Sequence, residues 1–297
     1  GSGTPIKISK AITINGNNAV LDAKSQSKII EVRLEDSANK VFLNGITFTN
    51  GHSTRNAGAI NGGTLTDCSF KNCIADQRGG VATDSILNRC TITNCHAQRG
   101  GALYDSTAND CTFKNCYSEM NGGVLVNGKA TGCEIINCYS GTYGGAIYEG
   151  SAYDTTFKNC TSGEDGGAIA SGFAVGCSFT DCKAGNKFKN DHNHDGGAIS
   201  NGWADRCNFT NCRADKFGGA IYNGSATNSI FKNCRCGDTK LKVVDSKTSH
   251  LGTGDGGAIS MGSATGCSFI DCYTENYGGA IDSGNAYYCN FTHCGCR

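Results

Sequence analysis

The stretch Gly166-Gly167-Ala168-Ile169, followed by Cys177-Ser178-Phe179-Thr180-Asp181-Cys182, decides the fold of this chain. The same phrase, or a close variant, occurs ten times along the 297 residues. The second small residue of the copies stands at 58, 80, 101, 123, 145, 167, 197, 219, 257 and 279, so most copies are 22 residues apart. Such a period is typical of a solenoid, because each unit can bury its apolar face only against a neighbour.

Within each copy, apolar and polar residues alternate over short stretches, which is the pattern of β-strands. A copy has room for three short strands and three turns, and coils stacked about 4.8 Å apart would align equivalent side chains. The sequence therefore predicts an all-β, single-domain, right-handed parallel β-helix with about 22 residues per coil. We expect capping coils over 4–57 and ten coils over 58–297, with insertions near 184–195 and 237–255. Gly1-Ser2-Gly3 has the composition of an expression remnant, 1–3.

Two aligned columns support this fold. The first carries Phe or Ile and is expected to lie inside: Phe70, Ile92, Phe113, Ile135, Phe157, Phe179, Phe209, Phe231, Phe269 and Phe291. Two residues later a column rich in Asn suits a corner, because Asn tolerates left-handed backbone.

The composition excludes several classes of protein. Lys plus Arg equals Asp plus Glu at 26 each, so no net positive charge favours a nucleic-acid partner. No apolar run reaches the ~20 residues that span a bilayer. We therefore expect no nucleic-acid partner, no membrane span in this stretch, and a chain that is monomeric in solution.

The 20 cysteines fall mostly into two columns of the aligned copies. Cys-x-x-Cys is absent, which argues against zinc knuckles and favours a disulfide-rich, extracytoplasmic protein. Adjacent coils meet the distance rule for a disulfide, and the gaps at Thr155 and Ser229 leave runs of even length. We predict disulfides between adjacent coils, with buried reduced thiols as the alternative. The predicted pairs are Cys68–Cys90, Cys111–Cys133, Cys177–Cys207, Cys267–Cys289, Cys73–Cys95, Cys116–Cys138, Cys160–Cys182, Cys212–Cys234 and Cys272–Cys294, while Cys236 and Cys296 lie outside both columns.

The Gly-Gly-Ala-Ile and Phe-x-Asn phrases, with Gly45-Ile-Thr-Phe-Thr-Asn-Gly51 before them, resemble adhesin-like surface proteins of methanogenic archaea. They are also similar to the repeats of chlamydial polymorphic membrane proteins. The resemblance covers 40–296 and implies a cell-surface stalk or binding module with no catalytic residues. The usual phrase has Asn where this chain has its second cysteine, so the complete sulfur column is a departure.

Two coils are longer than the others, and their extra residues stand just before the Gly-Gly pair. Insertions of a solenoid emerge at one edge, which is often the binding face. Asp165 and Asp195 are the candidate metal ligands, because carboxylate oxygens suit Ca²⁺. The alternative is that these residues belong to a solvated polar loop. No other cofactor is expected. The candidate binding residues in this region are Glu164, Asp165, Asp191, His192, His194, Asp195 and Asp255.

Aromatic side chains offer a second candidate surface. Tyr104, Tyr148 and Tyr222 share one column that we expect to face outward, and Phe173 and Trp203 are expected to be vertical neighbours. Exposed rings in a row can stack on sugars or anchor a protein partner, and packing against the loops is the alternative.

We predict a non-catalytic cell-surface adhesin or adhesin-like stalk, located outside the cell, that binds a surface glycan or protein of another cell. The runner-up is a polysaccharide lyase or glycoside hydrolase on a β-helix scaffold, for which Glu164, Asp165 and Asp195 are the fair candidates. Ice binding would need a regular Thr column, and that column is interrupted at Glu134 and Asn208.

Overall fold

The computed structural model describes residues 3–34, 40–185, 194–237 and 255–296. These residues form parallel β-strands and no α-helix. They divide into two compact units: unit 1 comprises Gly1–Gly141 and Ala146–Thr156, and unit 2 comprises Thr142–Gly145 and Phe157–Arg297. Each unit is a right-handed-type parallel β-solenoid with about 22 residues per turn, which confirms the all-β, parallel β-helix part of the predicted fold class. Among the described residues there is no helix of the length and hydropathy needed to cross a membrane.

Each unit has three parallel sheets, one on each side of the coil. In unit 1 the first sheet contains Ile6–Ile8, Ile12–Asn15, Ile30–Val32, Val41–Asn44, Ile60–Thr66, Ala82–Asn88, Leu103–Tyr104, Thr107–Asn109, Leu125–Val126, Lys129–Thr131, Ile147–Tyr148 and Ser151–Tyr153. The second contains Val20–Asp22, Thr47–Thr49, Ser69–Lys71, Thr91–Thr93, Thr112–Lys114 and Glu134–Ile136. The third contains His52–Ser53, Ile74–Arg78, His96–Arg99, Tyr117–Ser118 and Tyr139–Ser140.

Unit 2 repeats this arrangement. Its first sheet contains Ile169–Ala170, Phe173–Val175, Ile199–Ser200, Trp203–Asp205, Ile221–Tyr222, Ser225–Thr227, Ile259–Ser260, Ser263–Thr265, Ile281–Asp282 and Asn285–Tyr287. Its second contains Thr156–Lys158, whose first residue belongs to unit 1, Ser178–Thr180, Asn208–Thr210, Ile230–Lys232, Ser268–Ile270 and Asn290–Thr292. Its third contains Thr161–Ser162, Lys183–Ala184, Arg213–Ala214, Arg235–Cys236, Tyr273–Thr274 and Gly295–Cys296.

The core consists of columns of identical or similar side chains. In unit 2, Phe179 pairs in register with Phe209, and their ring centroids lie 4.8 Å apart with the planes at 3°. The predicted interior Phe/Ile column is therefore confirmed over most of its length. Its last member departs, because Phe291 is 50% exposed in the final coil.

The corners are set by residues that accept left-handed backbone. The predicted Asn column has φ close to +50° throughout, for example 54° at Asn72 and 56° at Asn211. Asn211 Nδ2 donates to Asp181 Oδ1 at 3.0 Å, so the corner side chains also bond from coil to coil. At the opposite corner Gly197 has no room for a side chain, since a Cβ there would lie 2.1 Å from the carbonyl oxygen of Gly219.

The disulfide prediction is wrong in this structure, and the reduced alternative holds. All 20 cysteines are free thiols, so none of the nine predicted cross-links is formed. Most of the thiols point into the core and donate to main-chain carbonyls. Cys90 Sγ, for example, lies 3.4 Å from both Asn88 O and Leu65 O, which share its single S–H donor. Because a thiol within a column packs against equivalent sulfurs in both adjacent coils, the spacing alone selects no unique partner.

The first cysteine column has a hydroxyl residue in place of cysteine at two positions, Thr155 and Ser229, and the structure explains both. Ser229 Oγ donates to the carbonyl of Thr227 at 2.8 Å, and Thr155 Oγ1 donates to Tyr153 O at 2.8 Å. Cys207 Sγ makes the same bond, to Asp205 O, at 3.3 Å. A hydroxyl therefore replaces a thiol as the donor to the carbonyl two residues earlier. Of the two cysteines outside the columns, Cys236 is buried and Cys296 is exposed.

A thiol titration tests the reduced state. We expect a thiol reagent to label all 20 cysteines of the denatured, unreduced protein. In the native protein it should label Cys296 fast and the half-buried Cys289 and Cys294 more slowly. The remaining 17 thiols are buried, so the reagent cannot reach them in the folded chain. Fewer reactive thiols after denaturation, restored by a reductant, would contradict the free-thiol core.

A matched pair of substitutions tests the bonding of the two columns. We expect Cys207→Ser to cost less than about 1 kcal/mol of unfolding free energy, because hydroxyls already occupy that column. Cys212→Ser should cost about 1–3 kcal/mol, because an O–H donor at that site lacks a close acceptor. The sulfur of Cys212 lies 3.7 Å from its carbonyl acceptors, too far for a hydroxyl bond. Urea unfolding of both variants measures the difference, and equal losses would contradict this account.

Candidate functional site

Asp165 and Asp195 occupy the same position in successive coils of unit 2, directly before the Gly-Gly pair. The main-chain N–H of Asp195 donates to Oδ1 of Asp165 at 3.0 Å. The N–H of Gly166 donates to the main-chain carbonyl of Asp195 at 2.9 Å. The hydrogen bonds that stack the coils therefore also bring together the two residues proposed from the sequence as metal ligands.

The environment of this pair disfavours negative charge. Asp195 has 0% of its surface exposed, and within the described residues neither of its carboxylate oxygens has a hydrogen-bond partner. Burial, followed by repulsion from Asp165, raises the pKa of Asp195 from its usual 3.8 to about 7. Burial also raises the pKa of Asp165 to about 6, although the N–H of Asp195 opposes the shift. Near neutral pH the pair therefore retains protons that exposed aspartates would have lost.

The other acidic and imidazole candidates are placed differently. Glu164 is half-buried beside Asp165, and His194 is buried. Asp255 lies beyond Phe217 in the same column, and its Oδ1 accepts from Asn276 Nδ2 at 2.8 Å. The remaining two candidates, Asp191 and His192, lie outside the described residues. In the part of the chain that the structure describes, no three His, Cys, Asp or Glu side chains form a group suited to a metal ion.

The three candidate tyrosines do not form a continuous row. In unit 1, Val126 stands between Tyr104 and Tyr148, and the guanidinium of Arg78 lies 4.8 Å from the Tyr104 ring. In unit 2, Tyr222 has Ser200 and Ser260 as column neighbours. All three tyrosines are half-buried, so the expected outward stripe is absent among them.

Trp203 stands at the head of an open groove on the first sheet of unit 2. Its ring stacks on that of Phe173 with centroids 4.6 Å apart and planes parallel at 0°, as the sequence predicted for these neighbours. The next residue in the column is Ser225, whose side chain is too small to cover the other face of the indole. Trp203 is accordingly 43% exposed.

This space, the Trp203 groove, has a volume of about 520 Å³ and runs across four coils. Its floor is a column of glycines, in which a Cβ on Gly224 would lie 1.9 Å from the carbonyl oxygen of Gly202. The groove contains no charged side chain among the described residues. It is lined by Gly202, Trp203, Asn223, Gly224, Ser225, Met261, Gly262, Ser263, Ser283, Gly284 and Asn285.

Sequence reasoning missed two features of these surfaces. It did not predict the groove, although the aligned copies repeat a pair made of Asn, Met or Ser followed by Gly. Asn201-Gly202 and Asn223-Gly224 are examples of this pair. It also missed an aromatic stack on the third sheet of unit 1. There, the ring centroids of His96 and Tyr117 lie 4.8 Å apart, and those of Tyr117 and Tyr139 lie 5.4 Å apart.

Comparison with known proteins assigns this chain to no family. No family model matches the chain, and no curated protein does. Among solved structures it is similar to a mannuronic-acid-specific polysaccharide family 6 lyase from human gut microbiota, at 11% identity and a TM-score of 0.28, covering 97% of this chain and 76% of the lyase. The Dettilon tailspike protein matches with 12% sequence identity and a TM-score of 0.31, and the match covers 95% of this chain and 61% of the tailspike. The catalytic domain of a GH87 α-1,3-glucanase matches with 14% sequence identity and a TM-score of 0.31, and the match covers 98% of this chain and 63% of the glucanase domain. TM-scores this low carry no functional argument.

The buried carboxyl pair predicts a measurable pH dependence. Because the pKa of Asp195 is higher in the folded chain, its contribution to stability is full below pH 3.8 and is lost as the pH rises through about 7. A shift of this size corresponds to at most about 4 kcal/mol. In buffer with EDTA we expect Asp195→Asn to flatten the fall in unfolding free energy between about pH 5 and pH 8, because the amide cannot ionise.

The control is Asp181→Asn, the same change at a corner where Asn is the usual residue. Urea unfolding at several pH values should give this variant the wild-type slope. A slope for Asp195→Asn equal to that of wild type would contradict the burial of this carboxyl group.

Proposed function

We propose that the protein is a non-catalytic, adhesin-type binding module, and that the Trp203 groove of unit 2 takes a neutral glycan. The observation that carries the proposal is the free face of Trp203, which opens onto a groove floored by main chain. Location at the cell surface and a partner on another cell belong to the same proposal, and the repeat phrases of the chain support them.

The groove has the chemistry that sugars require. The C–H face of a pyranose ring packs on an indole, so a sugar above Ser225 would continue the stack of Phe173 and Trp203. Asn223, Ser263 and the neighbouring polar side chains supply amide and hydroxyl groups for sugar hydroxyls. The glycine floor lets the sugar approach the main chain.

The absence of charge in the groove lining favours a neutral glycan over a uronate or sulfated one. An anionic sugar bound there would lose hydration without gaining a counter-charge, which is costly. The lining also contains no carboxyl group, whereas hydrolysis of a glycosidic bond needs two. Binding without cleavage is the activity that these side chains support.

A polysaccharide lyase or glycoside hydrolase is the second candidate function. The specific observation in its favour is the pair Asp165 and Asp195, because a carboxyl group with a raised pKa can act as a general acid. Against it stands the complete burial of Asp195, which a substrate cannot touch.

Binding can be measured by intrinsic fluorescence, because Trp203 is the only tryptophan in the chain. We expect neutral oligosaccharides from a panel of gluco-, manno-, xylo- and galacto-series to change its emission in a saturable way. Galacturonate and mannuronate oligomers should have no effect. Saturable binding of only the acidic oligomers would contradict the choice of a neutral ligand.

A matched pair of variants locates the site. Ser225→Phe extends the aromatic column and fills the groove, so it should abolish binding while the fold is kept. Thr227→Phe makes the same change on the same strand at an exposed position outside the groove, and it should bind like wild type. Loss of binding in both variants, or in neither, would place the ligand elsewhere.

Activity assays separate the two functions. We expect no new reducing ends and no unsaturated products from neutral or acidic polysaccharides incubated with the protein. Depolymerisation that is lost in Asp165→Asn would overturn the non-catalytic proposal in favour of the enzyme.

A further inference from the structure

We propose that Asp165 and Asp195 form a site for one hard divalent cation, separate from the Trp203 groove. The two residues belong to successive coils, and the main-chain N–H of Asp195 donates to Oδ1 of Asp165 at 3.0 Å. This bond from main chain to side chain uses neither carboxylate oxygen of Asp195. The site is therefore positioned by the coil stacking itself.

The state of Asp195 is the observation that points to a ligand. Its side chain is fully excluded from solvent, and no described group donates to either oxygen. An isolated carboxylate in such a place is strongly destabilising, so it is normally paired, coordinated to a metal or protonated. A cation between Asp165 and Asp195 would give both oxygens of Asp195 a partner and remove the repulsion between the two groups.

The surrounding charges leave the pair without full compensation. Lys216 acts on both carboxyl groups and favours their charged forms, and His194 does so for Asp165. These influences are smaller than the cost of burial, which comes first for both groups, and Glu164 opposes them at Asp165. Asp215, an acid in the coil that follows Asp195, forms an ion pair in which its Oδ1 lies 3.5 Å from Lys183 Nζ, although this oxygen accepts no hydrogen bond among the described residues.

The number of ligands indicates how a cation would be held. With no third acidic or imidazole side chain in place among the described residues, a bound ion takes two carboxylates and completes its shell with main-chain carbonyls or water. Mg²⁺ commonly binds through one or two carboxylates and keeps several waters. Ca²⁺ accepts irregular shells that include carbonyl oxygens and bidentate carboxylates. Both are hard oxygen-seeking ions, and the experiment distinguishes them.

Thermal unfolding in EDTA, then with millimolar Ca²⁺ or Mg²⁺, tests the site. At about pH 8, where both carboxyl groups are ionised, we expect one of the two ions to raise the midpoint of wild type and of Asp181→Asn. Asp195→Asn should show no such rise. Isothermal titration of the same ion should give one site per chain in wild type, weakened by about tenfold or more in Asp195→Asn, since affinity depends on ligand charge.

A second readout places the ion at this pair and not at another acidic residue. Burial, followed by repulsion from Asp195 and Asp165, raises the pKa of Tyr222, so the charges of both carboxyl groups act on its phenol. Tb³⁺ occupies oxygen sites and is excited through nearby tyrosines. We expect Tb³⁺ luminescence in wild type to fall in Tyr222→Phe, while the ion-induced rise in unfolding midpoint is retained.

The outcomes decide the proposal. A midpoint that neither ion changes in wild type would overturn it and leave the pair as a proton-binding group. A rise that survives in Asp195→Asn, or luminescence that is unchanged in Tyr222→Phe, would place the cation at a different site and overturn it equally. Because the Trp203 groove contains neither aspartate, glycan binding and cation binding can fail independently.

Discussion

The parallel hydrogen-bond ladder between successive coils is the constraint on which the rest of this structure depends. It places each residue above its counterpart one coil earlier, at the ~4.8 Å spacing of paired strands. A residue type that recurs at one position of the repeat therefore forms a continuous column of equivalent side chains. Phenylalanine becomes a stack of parallel rings, asparagine a chain of amide bonds, and glycine a strip of bare main chain. In the same way the ladder brings Asp165 and Asp195 together, although among the described residues neither oxygen of Asp195 gains a hydrogen-bond partner.

The fold could be predicted because it depends on repetition, which a single sequence displays. The period gave the coil length, the Phe column gave the interior, and the Asn column gave the corner with positive φ. Phe291 departs from its column for a local reason: it lies in the last described coil, and its ring stacks on Phe269 of the preceding coil. Position within the stack, and not residue type, decides its exposure.

The sites were harder to predict, because they depend on what lies beside each column and not along it. The sequence placed Phe173 next to Trp203 but could not show that the face toward Ser225 is open. It grouped Asp255 with Asp165, although Phe217 intervenes. The cysteines are a second example. Their spacing allowed disulfides, but the thiols instead donate hydrogen bonds to carbonyl groups two residues earlier. Spacing is necessary for a bond, but the orientation of the side chains decides which bond is made.

The free-thiol core also has a mechanical consequence. Because no disulfide cross-links neighbouring coils among the described residues, only hydrogen bonds and packing oppose a force that pulls the chain from the end of a unit. Peeling off one coil shortens the stack by about 4.8 Å and releases about 22 residues, or roughly 75 Å of extended chain. Each coil that detaches would lengthen the extended chain and absorb mechanical work before the next coil detaches. Cross-linked coils would instead transmit the load undiminished.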